Sequence, residues 1–270
     1  MTGLHPEIQR RFAALVAGGD LAIPLLPEVA SQVMVLVGRP DCDGRKLADL
    51  LHRDPALTAH VLRMANSPIY AAATKVVSLQ QIIGRLGFSA ILQLALVVAS
   101  KARIFQVTGF EREVREAFRH SLAAALFAQE IARMRRTTVD EAFIGGLLHD
   151  IGRPLVLQAL VDLHKQLGLP ADPMFVRPAA DVLHATVGGT LIEKWSLPAK
   201  IATAVRRHHA PEGNELATLI ALADALAHAA SDAQPFSRPD LAGALDLYPE
   251  DVEQIAAKSV AIFETVEAMA

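Results

Sequence analysis

The chain has 270 residues, of which 52% are hydrophobic and 5% aromatic, and its formal net charge at pH 7 is −3. This length allows one large domain or two modest ones, and the charge argues against a nucleic-acid-binding protein, which would usually be strongly basic. The single cysteine, Cys42, excludes a disulfide within one chain. Because no signal-peptide pattern and no uninterrupted bilayer-length apolar segment is found, we expect a cytoplasmic protein without a membrane partner.

Helical patterns fill the first hundred residues. Apolar residues recur with a period near 3.6 between Glu28 and Val37. Asp43 and Asp54 stand where helix N-caps are expected, and Pro55 follows the second one directly. Gly87 is placed to end one helix before a long buried helix begins. We therefore predict helices over 28–37, 44–51, 55–65, 78–86 and 89–102.

No strand pattern accompanies these helices. The sequence lacks both a sustained alternation of apolar and polar residues and an Asn-Gly hairpin turn. The segment Val107–Phe110 interrupts the helical periodicity. We therefore predict an all-α fold of two packed helical lobes, residues 1–108 and 109–270.

The chemistry gathers in the second lobe, beginning with His149 and Asp150. These two residues stand side by side in an otherwise apolar helical segment between Gly145 and Gly152. Burying an ionised carboxylate without a partner costs several kcal/mol, and a divalent metal would compensate, because imidazole nitrogen and carboxylate oxygen both suit such ions. A buried, hydrogen-bonded His-Asp pair is the alternative for this doublet considered alone.

Further histidines and carboxylates occupy the inward faces of other predicted helices. Glu116 and His120 are four residues apart and share one helix face, while His184 lies on an apolar stripe. His208 and His209 end a helix, and Asp224 interrupts the apolar segment Leu216–Ala230. Asp224 must be paired, protonated or metal-bound, and a local pair with His228, one turn later, competes with the metal. One convergent polar site explains all of these residues more economically than separate pairs.

In this order, the residues resemble the HD superfamily of metal-dependent phosphohydrolases, with its early histidine, His-Asp doublet, further histidines and late aspartate. Residues 20 to 230 resemble more closely the HDOD family, the HD-related output domain of bacterial signalling. The resemblance implies that the second lobe is an HD-type helical domain. The segments that carry the HDOD resemblance are Leu25-Leu26-Pro27, Asp54–Thr58, Ala65-Asn66-Ser67, Leu86-Gly87, Gly146–Gly152, Trp195–Pro198 and His208–Pro211.

The resemblance also implies a set of metal ligands. In related HD-GYP phosphodiesterases two ions share the aspartate of the doublet, which makes Asp150 the candidate catalytic residue here. His120, His149 and Asp224 would complete the ligands of one ion, and His184, His208 and His209 those of the other. Glu116 matches a further ligand, and Arg153 stands where those enzymes carry a phosphate-binding lysine. Iron, manganese and zinc all suit such ligands.

Two functions follow from this resemblance, and a third possibility needs no metal. The Gly-Tyr-Pro loop of the HD-GYP enzymes is missing, and Ala210–Asn214 stands in its place. This departure favours a regulatory module with little or no turnover, which acts through a signalling protein partner or a nucleotide ligand. The alternative is a metal-dependent phosphohydrolase or phosphodiesterase that acts on a nucleotide or cyclic dinucleotide. Without metal, the same residues would form a hydrogen-bonded polar core.

Overall fold

The computed structural model describes residues 4–18, 20–22, 24, 28–70, 76–103 and 106–269. The predicted family segment Leu25-Leu26-Pro27 lies outside these residues. The described part contains fourteen helices and no strand, so the prediction of an all-α fold is confirmed.

The first lobe and the helix that leads out of it contain α1 to α5. Their bounds are Pro6–Gly18 (α1), Glu28–Val37 (α2), Gly44–Leu51 (α3), Pro55–Ala65 (α4) and Leu79–Arg103 (α5). The second lobe begins with Glu111–Arg135 (α6), Val139–Leu148 (α7), Gly152–Gln166 (α8), Pro173–Lys194 (α9), Ala199–Arg207 (α10) and Glu215–Ser231 (α11). It closes with Pro239–Ala244 (α12), Pro249–Ala256 (α13) and Ser259–Met269 (α14).

The predicted N-caps hold the short helices of the first lobe. The Asp43 carboxylate accepts the Lys46 backbone N–H at 2.8 Å, and the Asp54 carboxylate accepts that of Leu57 at 2.9 Å. Each cap satisfies a donor that the first turn of a helix leaves without a partner. The local sequence therefore determined where α3 and α4 begin.

The long helix α5 contains the glycine boundary that the sequence predicted. Gly87 has φ of 82° and ψ of 173°, and it kinks the helix. This conformation favours glycine because a positive φ strains the backbone of residues that carry a Cβ atom, so the two predicted helices form two arms of α5. Residues Leu79–Lys101 are long and apolar enough to cross a membrane, but 56% of the most apolar stretch is buried in the fold, as in an ordinary core helix.

Two glycines bring the helices of the second lobe into close backbone contact. A Cβ atom on Gly146 would lie 2.8 Å from the Ala125 Cα atom of α6. A Cβ atom on Gly152 would lie 2.0 Å from the His184 carbonyl oxygen of α9. The segment between these glycines carries His149 and Asp150, so both glycines set how deeply the doublet sits among α6, α8 and α9.

The two lobes share one continuous apolar core. Helix α1 packs against α8, and α14 packs against both α4 and α6. A chain of hydrogen-bonded polar side chains, buried except for the exposed Asp140, also crosses between the lobes. Tyr70 Oη donates to Gln129 Oε1 at 3.2 Å, Gln129 Nε2 donates to Gln93 Oε1 at 3.4 Å, and Gln93 Nε2 donates to Asp140 Oδ1 at 2.9 Å. The lobes are thus joined by packing and by hydrogen bonds.

We expect Gly152→Ala to destabilise the protein, because its methyl group would overlap the His184 carbonyl group and force α8 away from α9. Overpacking of this kind costs roughly 1–3 kcal/mol or more, measured as the free energy of unfolding in urea. Gly243→Ala is the matched control, because a Cβ atom there meets nothing within 4 Å and alanine favours the helix. Equal stabilities for the two variants would contradict the proposed contact.

Candidate metal centre

Five helical segments bring the predicted ligands together. His120 lies on α6, His184 on α9 and Asp224 on α11. His208 and His209 directly follow the end of α10, and the doublet occupies the turn between α7 and α8. His149 and Asp150 therefore stand at a helix junction, whereas the sequence pattern had indicated a helix interior. At this junction the doublet can face α6, α9, α10 and α11 at once.

Backbone carbonyl groups fix the orientation of three buried imidazoles. Because a carbonyl oxygen only accepts hydrogen bonds, the Nδ1 atom that faces it carries the proton, and Nε2 of the neutral ring keeps its lone pair. Metal-binding histidines in proteins are commonly held in this way. The Nδ1-to-oxygen distances are 2.7 Å from His149 to Gly146, 3.1 Å from His184 to Ala180, and 2.6 Å from His208 to Val205.

The first group of ligand atoms, called here the inner set, consists of Nε2 of His184, His208 and His209 with Oδ1 of Asp150. His184 Nε2 lies 2.9 Å from His209 Nε2, 3.4 Å from His208 Nε2 and 3.1 Å from Asp150 Oδ1. Metal–nitrogen bonds of about 2.1 Å give ligand-to-ligand distances of roughly 3.0–3.4 Å in tetrahedral or octahedral sites. Asp150 Oδ1 is buried and has no hydrogen-bond partner. The inner set therefore fits a divalent ion.

The second group, called here the outer set, consists of His120, His149 and Asp224. His120 Nε2 and Asp224 Oδ1 lie 2.7 Å apart, within hydrogen-bond distance. His149 Nε2 lies 3.6 Å from the same oxygen and 3.8 Å from Asp150 Oδ2. His149 Nε2 is also buried without a hydrogen-bond partner, which is the second orphaned polar atom of the site.

The two carboxylates of the site stay ionised although burial opposes their charge. His149, Arg153 and His184 outweigh the effect of burial and hold the pKa of Asp150 well below its usual range. Hydrogen bonding to His120, together with the nearby His149, likewise outweighs burial and holds the pKa of Asp224 well below its usual range. Both carboxylates are therefore available as anionic ligands at neutral pH.

The pKa values of the buried His149 and His208 are shifted in opposite directions. Burial opposes the charged form of His149, but the carboxylates of Asp150 and Asp224 outweigh it and raise its pKa to about 9. Burial lowers the pKa of His208 to about 3, and the nearby His149 adds to this shift. His208 therefore offers a neutral imidazole at neutral pH, whereas an ion would displace a proton from His149.

Glu116 and Arg153 lie beside the centre, in a cleft of about 520 Å³. The structure does not bring Glu116 into either set: its side chain is 66% exposed and lies 3.9 Å from Arg112. Arg153 Nε donates to Asp150 Oδ2 at 2.6 Å, and Arg153 Nη1 donates to Asp181. The predicted phosphate-binding residue is thus held by two carboxylates.

The structure adds His228 to the polar cluster. Its Nε2 atom lies 3.4 Å from Asp224 Oδ1, and its ring centroid lies 4.1 Å from that of His120. The i,i+4 spacing from Asp224 indicated a local pair, which the structure contains. His120 of α6 contacts this pair on the outer side of the centre. Spacing within α11 alone could not predict that contact.

The fold and the centre together define an HD-type protein, and comparison with known proteins gives its family. The model of the HDOD domain matches residues 23–211, and the chain belongs to the HDOD family. An uncharacterised protein of Treponema pallidum is 24% identical over 208 residues, which cover 74% of this chain. The chain spans only 40% and 22% of the length of the curated relatives it matches.

Solved structures show the same fold. A protein of Shewanella amazonensis SB2B, provisionally called a metal-dependent phosphohydrolase, aligns with a TM-score of 0.77 at 20% identity, over 97% of this chain and 98% of that one. A protein of Marinobacter aquaeolei VT8, provisionally assigned to signal transduction, aligns with a TM-score of 0.66 at 22% identity, over 97% of this chain and 65% of that one. At these identities the similarity shows the fold alone.

We expect Asp150→Ala to abolish tight binding of Mn²⁺ or Zn²⁺, because Asp150 supplies a charged oxygen to the inner set. Glu116→Ala is the matched control and should leave the metal content unchanged, since Glu116 faces solvent. Elemental analysis after loading and gel filtration measures both. Metal that survives Asp150→Ala, or disappears with Glu116→Ala, would contradict the assignment of ligands.

The stability of the metal-free protein should decline as the pH rises from about 6.5 to about 9. The pKa of His149 is raised from 6.5 to about 9 by folding, so its proton stabilises the folded state below about pH 6.5, and this stabilisation is lost as the pH rises through 9. Urea unfolding across this range measures the effect. His149→Gln should flatten the profile, because it removes the imidazole whose pKa folding raises. A flat profile for the metal-free wild type would count against the arrangement.

Proposed function

We propose that the protein is a regulatory module of bacterial signal transduction that holds a divalent-metal centre and turns over little or no substrate. One observation carries the metal centre: two buried ligand atoms, His149 Nε2 and Asp150 Oδ1, lack hydrogen-bond partners at the point where the histidines converge. Leaving such atoms unsatisfied costs about 1–3 kcal/mol each, and a cation bound in the inner set would satisfy Asp150 Oδ1.

The charge of the cleft supports low turnover of phosphate substrates. The acidic side chains that line it are Glu113, Glu116, Asp150, Asp181 and Asp232, whereas the arginines that line it in the described part of the chain are Arg153 and Arg177. Both of these arginines are ion-paired, Arg153 with two aspartates and Arg177 with Glu113. A cleft whose positive groups are already neutralised attracts an anionic substrate weakly apart from the metal itself.

The segment that replaces the Gly-Tyr-Pro loop supports the same proposal. After His209 the chain turns through Gly213, which has φ of 74°, and the Asn214 side chain accepts the Ala217 backbone N–H at 2.8 Å. The segment therefore serves to begin α11 at its N-cap. Membership of the HDOD family and the provisional signalling assignment of the M. aquaeolei relative agree with a regulatory role, exerted through a protein partner or a nucleotide ligand.

The alternative function is a metal-dependent phosphohydrolase or phosphodiesterase that acts on a nucleotide or cyclic dinucleotide. It is supported by the full set of histidine and aspartate ligands and by the provisional name of the S. amazonensis relative. Bound iron, manganese or zinc would supply Lewis-acid polarisation and an activated water. Asp150, His184, His208 and His209 would hold such an ion, and the outer set would hold a second one.

A turnover assay separates the two functions. We expect Mn²⁺- or Fe²⁺-loaded protein to hydrolyse bis(4-nitrophenyl) phosphate and a cyclic dinucleotide within about tenfold of the rate of the Asp150→Ala variant, because the cleft does not favour anions. The released nitrophenolate and the linear dinucleotide are measured. A metal-dependent rate roughly 10³-fold above the variant would establish the phosphohydrolase instead.

A further inference from the structure

We propose that the Arg153 guanidinium takes the place of a second ion at Asp150, so that the protein binds one tight divalent ion, in the inner set, and not a carboxylate-bridged pair. This inference rests on the proposed metal centre and specifies how many ions it holds. It concerns the carboxylate that a pair of ions would have to share.

The two oxygens of Asp150 have different surroundings. Oδ1 lies 3.1 Å from His184 Nε2 and 3.9 Å from His208 Nε2, and it has no hydrogen-bond partner. Oδ2 accepts the Arg153 Nε–H at 2.6 Å, which is a short, charge-assisted hydrogen bond. One oxygen therefore remains open to a cation on the inner side, while a protein cation already occupies the other.

The guanidinium is held in this place from two helices. Arg153 lies in the first turn of α8, three residues after Asp150, and its Nη1 atom donates to Asp181 of α9. Helices α8 and α9 approach at Gly152 so closely that a Cβ atom there would lie 2.0 Å from the His184 carbonyl oxygen. The rigid contact between the helices keeps Arg153 between two carboxylates, so an ion at Oδ2 would have to displace a preorganised charge.

The outer set is weakened further by its own hydrogen bond. If Asp150 Oδ2 is not available, an ion in the outer set has only His120, His149 and Asp224 as ligands. Each set contains one atom without a hydrogen-bond partner, His149 Nε2 in the outer set and Asp150 Oδ1 in the inner set, but in the outer set His120 Nε2 and Asp224 Oδ1 are already bonded to each other at 2.7 Å. A second ion would have to break the His120–Asp224 bond and also compete with Arg153, so the two sets differ in affinity.

The number of Mn²⁺ ions bound per chain tests the proposal without any activity assay. Wild-type protein and the Arg153→Ala variant are loaded with Mn²⁺, passed through gel filtration and analysed for metal, and the electron paramagnetic resonance spectrum reports whether the ions are coupled. We expect one ion and an uncoupled spectrum for the wild type, and two ions with exchange coupling for the variant. Arg177→Ala is the matched control, because this arginine lines the same cleft but pairs with Glu113, and it should bind one ion.

Each other outcome overturns the proposal in a recognisable way. Two coupled ions in the wild type, or one ion in Arg153→Ala, would show that Arg153 does not set the count, while the metal centre itself would stand. No ion in the wild type would remove both the proposed centre and this inference. If Arg153→Ala does not fold by circular dichroism, Arg153→Met keeps the aliphatic stem without the charge and is expected to bind two ions.

Discussion

Asp150 is a carboxylate buried at the junction of α7 and α8, and side chains of the second lobe compensate its charge. An isolated charge in such a place would cost several kcal/mol. The protein offsets this cost from two sides, with the Arg153 guanidinium on Oδ2 and with imidazoles that face Oδ1. The inner side remains incomplete, because Oδ1 has no hydrogen-bond partner. A divalent ion among three imidazoles would complete it.

The rest of the architecture supplies the rigidity that this arrangement needs. Gly146 and Gly152 let α6 and α9 approach the doublet at backbone distance. Backbone carbonyl groups of α7, α9 and α10 then orient the rings of His149, His184 and His208. Because each of these positions belongs to a packed helix or its terminus, the ligand atoms are held without help from a mobile loop.

The centre is also connected to the first lobe. Helix α6 carries His120 and also Gln129, which bonds to Tyr70 and Gln93 of the first lobe. Gln93 in turn bonds to Asp140 of α7, the helix that leads to the doublet. The candidate metal centre and the first lobe therefore form one packed body, which agrees with the proposed regulatory role.

The sequence by itself determined the all-α class, the helices of residues 28–102 and most of the candidate ligands. Caps such as Asp43 and Asp54, the helix boundary at Gly87 and the inward position of His184 follow from spacing along one chain segment, and such local patterns act at short range. The tertiary structure decided how these residues meet. That Glu116 points to solvent, that His228 joins His120 and Asp224, and that Arg153 bonds to Asp150 Oδ2 depend on how each helix is rotated and how closely neighbouring helices approach. No spacing within a single helix contains that information, because it arises only when segments distant in sequence pack against each other.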